Sequence, residues 1–86
     1  MNLTSIQLKL ESCHYYTQVV THTLIVGAHP EKVPDSHGIA VFKAFCSVEI
    51  QDNIIVIEYG QSNLSMEETF ADEAKAVDFI TRMFPI

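Results

Sequence analysis

Apolar and polar residues alternate near the start of the chain. Ile6, Leu8 and Leu10 fall on one side of an extended segment, and Gln7, Lys9 and Glu11 on the other. That period-two pattern predicts a half-buried strand over 3–11. A short helix using Leu3, Ile6 and Leu10 competes for the same residues. Residues 14–28 are dense in Tyr, Thr, Val and Ile, which suit a pleated surface, and read as one long strand. Two prolines, a glycine and polar neighbours then mark 29–38 as a loop.

The sharpest local signal lies in residues 39–50 and 54–59. Asp52-Asn53 suits a two-residue hairpin turn, because both residues tolerate positive φ. With Gln51 set opposite Ile54, the register pairs Ile50 with Ile55, Val48 with Ile57 and Cys46 with Tyr59 on one face. Glu49 meets Val56 and Ser47 meets Glu58 on the other. A register taken from the turn alone thus yields one coherent apolar face, which supports the hairpin independently.

Gly60-Gln61-Ser62-Asn63 interrupts the pattern. Ser65 and Glu68 have capping-box spacing, so a helix is predicted from Ser65 to the residues before Pro85. At about 100° per residue its core stripe is Met66, Phe70, Ala74, Val77, Ile80 and Phe84. Ala76, Phe79 and Met83 widen the apolar arc to one side. The expected architecture is an α+β domain over 1–86 in the order β-β-β-β-α. Its four-stranded sheet is mainly antiparallel, and one C-terminal helix packs on one face.

That architecture leaves a surface short of cover. Four strands at about 4.8 Å spacing are wider than one helix of about 10–12 Å. Ile54 and Val56 point away from the face carrying Ile55 and Ile57. Large exposed apolar patches mark interfaces or ligand sites, and closed two-fold pairs dominate soluble oligomers. A homodimer is therefore expected, with another protein as the alternative partner, using the uncovered sheet face at Ile54 and Val56, the helix flank at Phe79 and Met83, or both.

Composition narrows the function classes. The chain has 86 residues, is 48% hydrophobic and carries a formal net charge of −6. The apolar content suits a folded domain. Only five Lys and Arg residues are present, which argues against nucleic-acid binding. Apolar runs are far shorter than the roughly 20 residues of a membrane-spanning helix, and no export signal is visible. A cytoplasmic protein with no membrane partner is expected. Cys13 and Cys46 lack a CxxC arrangement and should be reduced.

Candidate chemistry is sparse. Glu73 interrupts the helix stripe between Phe70 and Val77. A buried carboxylate there would have a raised pKa and could bind a ligand in a helix–sheet cleft. Placed at the margin of the stripe, it would instead reach solvent, or pair with Lys43 or a tyrosine hydroxyl. His29 and His37 flank the loop that also holds Glu31 and Asp35, and could be brought together as metal ligands. Cys13-His14 cannot hydrogen-bond to each other on a regular strand. No catalytic constellation and no cofactor motif is present. The sequence thus favours a small acidic non-enzymatic interaction module that self-associates. The alternative is a small-ligand- or metal-binding protein using the His29–His37 loop or the cleft near Glu73.

Overall fold

In the computed structural model, which describes residues 2–29 and 43–86, the first segment is a helix rather than a strand. Helix α1 runs Leu3–Ser12. Its start is fixed by Asn2, whose side chain accepts the Ser5 backbone N–H at 2.8 Å. Its end is a Schellman closure: the Tyr15 N–H donates to the Leu10 carbonyl and the His14 N–H to that of Glu11, with His14 left-handed at φ 72°. The buried residues are Ile6 and Leu10, as the helical alternative requires, while Leu8 is 62% exposed. Alternation over a few residues was a weaker determinant than two good caps.

The sheet has five strands, not four. The long segment over 14–28 folds back at Thr21-His22, where Thr21 takes a positive φ of 57°. It forms β1 (Tyr16–Val20) and β2 (Thr23–Gly27). Strands β3 (Ala44–Gln51) and β4 (Ile54–Gln61) follow. Asp52 and Asn53 both have positive φ, and Gln51–Ile54 through Ser47–Glu58 pair in the predicted register. A second two-residue turn, Ser62-Asn63 at φ 51° and 65°, adds β5 (Leu64–Phe70). The predicted helical start at Ser65 is therefore strand. Helix α2 is Glu73–Met83, capped by Asp72, whose side chain accepts the Lys75 N–H.

The strands form an antiparallel meander in the order β1-β2-β3-β4-β5. Both helices lie on one face, where Ile6, Leu10, Ala76 and Ile80 join Leu24, Val26, Val48, Ile55 and Ile57 in a single core. Two helices about 10–12 Å across come close to the width of five strands at about 4.8 Å spacing, so they cover most of this face and leave Val19 at the β1 edge and Leu64 at the β5 edge exposed. The inner face of α2 also differs from the expected stripe: Ala76 is buried and Ala74 is exposed. A register shift between Val26 and Gly27 leaves Phe45 unpaired in β3. That bulge turns Phe45 toward the helices, where it stacks on Phe84 at 5.5 Å.

Candidate functional site

Glu73 is the first residue of α2 and sits against the start of α1. Its carboxylate accepts from Ser5 Oγ at 2.8 Å, Lys9 Nζ at 3.1 Å and the Asn2 backbone N–H at 3.1 Å. The Ser5, Lys9 and Asn2 donors hold the group well below the usual carboxylate range, at about 2. This reverses the raised pKa expected for a buried acid. The carboxylate is 16% exposed and satisfied, so it clamps two helix N-termini together. Its ion-pair partner is Lys9 rather than Lys43. The strand reading of 3–11 hid this contact, because only a helix sets Asn2, Ser5 and Lys9 on one side.

The other chemistry-bearing side chains stay apart. His29 is exposed and contacts the Tyr16 ring edge-on at 5.6 Å. His37, Glu31 and Asp35 lie outside the described residues. Among the described residues no group of three or more His, Cys, Asp or Glu is placed to hold a metal. Cys13 caps α1 in the open, whereas Cys46 is buried in the core, which pushes its thiol up to about 12. Tyr15 and Phe45 are packed into the helix-covered face.

Phe79 and Met83 come together on the outer flank of α2. With Phe70 at the end of β5 they line an open groove of about 520 Å³ whose rim carries Lys75, Asp78 and Arg82. Arg82 pairs with Asp78 one turn earlier. Phe79 is held in place by Phe70 at 5.2 Å and Tyr59 at 5.8 Å. A run of ring contacts continues from Tyr59 to Phe84, Phe45 and Tyr15. The floor of the groove is thus anchored through the core. Its volume falls within the range of ligand-sized clefts, about 300–1,000 Å³. The sequence identified the α2 side of this groove but not the strand beside it.

The sheet face opposite the helices is mixed rather than greasy. Val56 lies there yet is only 8% exposed, between Glu49 and Thr69 in the register. Ile54 is 38% exposed at the start of β4. A cross-strand row on this face reads Ile25, Ser47, Glu58 and Glu67. None of the five described strands contains a Lys or Arg. Glu49 accepts from Thr23 Oγ1 and Gln51 Nε2, and these two hydrogen bonds lower its pKa. The face therefore holds fixed negative charge around a small apolar centre.

Comparison with protein-family models, curated proteins and solved structures finds no match for this chain.

Proposed function

We propose that this domain is a non-catalytic protein-interaction module, and that the flank where α2 borders β5 is its binding surface. The groove over Phe70, Phe79 and Met83 carries this reading. It is an apolar floor with a polar rim, set beside an outer strand, and Met83 keeps 40% of its surface exposed. An apolar centre with a charged margin is the usual anatomy of a contact patch.

Charge bears on the kind of partner. Self-association about a two-fold axis sets like surfaces against each other. On the far face that would bring Glu49, Glu58 and Glu67 against their own counterparts. Across two β5 edges it would do the same for Glu67 and Glu68. A protein carrying positive charge meets no such opposition from these glutamates, and on the α2 rim Arg82 is paired with Asp78, which leaves Lys75 as the cation it must avoid. The charge pattern therefore favours a different, basic protein over a second copy of the chain.

Selection of a random peptide display library on the immobilised domain tests the flank. Recovered binders are expected to lose affinity for Met83→Glu, a variant whose melting curve should stay near that of the parent. Binders indifferent to Met83→Glu would remove the flank as the site. Light scattering over a concentration series should report a monomer. A dimer that dissociates on Met83→Glu would assign the flank to a second copy instead.

A further inference from the structure

We infer that β5 accepts an extended basic segment of another protein as a sixth strand, whose alternate side chains enter the groove under α2. This inference rests on the flank being the binding surface and specifies what occupies it. Strand β5 is an outer strand, paired among the described residues only with β4. Its backbone pattern follows from the Ser62-Asn63 turn. A two-residue loop makes Gln61–Leu64 the hydrogen-bonded closing pair. Tyr59–Met66, Ile57–Glu68 and Ile55–Phe70 are then also hydrogen-bonded pairs. The N–H and C=O groups of Ser65, Glu67 and Thr69 consequently point outward from the edge. They offer a ladder to an incoming strand.

Side-chain alternation assigns the two faces of that strand. Residues of the added segment on the helix side would lie beyond Met66, Glu68 and Phe70, where Phe79 and Met83 form an apolar floor. Apolar side chains fit there. Residues on the other side would lie beside Glu67, which already faces Glu58 across the ladder. Non-hydrogen-bonded pairs bring side chains closest, and directly opposed like charges are destabilising. A Lys or Arg beside Glu67 relieves that opposition. Charges on an outer strand also block pairing with an identical edge, so the same glutamates disfavour a second copy of β5 and favour a basic segment.

The probe is a short, capped peptide of alternating Lys and Val. Its controls are a Glu/Val peptide and a Lys/Val peptide N-methylated at alternate residues. Binding is followed by amide resonance shifts and hydrogen exchange of the intact chain. The Lys/Val peptide should slow exchange of the Glu67 and Thr69 amides and shift the resonances of Phe79 and Met83. Methylation should abolish this, added salt should weaken it, and Glu67→Lys should reduce affinity about tenfold. Binding that is sensitive to Met83→Glu but leaves the Glu67 and Thr69 amides unprotected overturns strand addition while the flank reading stands. Binding that is indifferent to Met83→Glu removes the flank reading itself. Equal affinity for the Glu/Val peptide overturns the charge selection, and no binding by any peptide overturns the proposal.

Discussion

Glu73 accepts from three donors that belong to the other helix, and none of them can bond an uncharged carboxyl as well. Its carboxyl falls from an ordinary 4.5 to about 2. A group whose pKa is lower folded than unfolded stabilises the fold above its unfolded value, and that stabilisation fades as pH falls toward the folded value. Thermal unfolding should therefore be flat above about pH 5 and steepen between pH 4.5 and 2. Glu73→Gln should melt earlier at neutral pH and show a shallower acid limb. The remaining slope belongs in part to Glu49, whose pKa is also lowered, through Thr23 and Gln51. An unchanged acid limb in Glu73→Gln would show that the clamp contributes nothing. The sequence marked Glu73 as out of place on an apolar stripe. Its partners were not legible, because Lys9 stands 64 residues away on a segment whose alternation mimics a strand.

The elements divide by how many independent signals specify them. The β3–β4 hairpin was readable because the turn residues and the apolar pairing demand the same register. The β4–β5 hairpin has an equivalent turn, Ser62-Asn63, with both residues at positive φ. Its second strand, however, alternates poorly. Glu68 falls on the helix side between Met66 and Phe70, and Ser65 with Glu68 imitates a capping box. The actual cap, Asp72, accepts from Lys75 only because the chain has already turned out of the sheet. If the left-handed pair is what ends β4, residue 63 should report it. Asn63→Gly should leave stability unchanged or raise it. Asn63→Val should cost about 1–2 kcal/mol, since β-branched residues resist that conformation. Urea midpoints at constant slope measure both. An Asn63→Val variant as stable as the parent would place the turn's specification elsewhere.

At the scale of the whole molecule, the shortage of cover expected from the sequence is only half present. Residues 3–11, expected as strand, lie in helix α1, which with α2 covers most of one face. The other face is left without a helix among the described residues, and acids and hydroxyls share it with Ile25 and with Val20 and Ile54, which are exposed beside the turns. Its apolar centre, Val56, is already shielded by the chain's own neighbours. Glu58 and Glu67 are cross-strand partners, and none of the five described strands holds a Lys or Arg. Like charges directly opposite each other are destabilising, and the proposed basic partner would act on this pair. Stability and binding should therefore respond oppositely to one substitution. Glu67→Lys places a cation beside Glu58 and should raise stability by about 0.2–1 kcal/mol, while weakening the Lys/Val peptide about tenfold. A variant that is stabilised yet binds as before would make the opposed glutamates incidental to recognition. A variant that is destabilised would mean that Glu58 and Glu67 do not repel in the folded sheet.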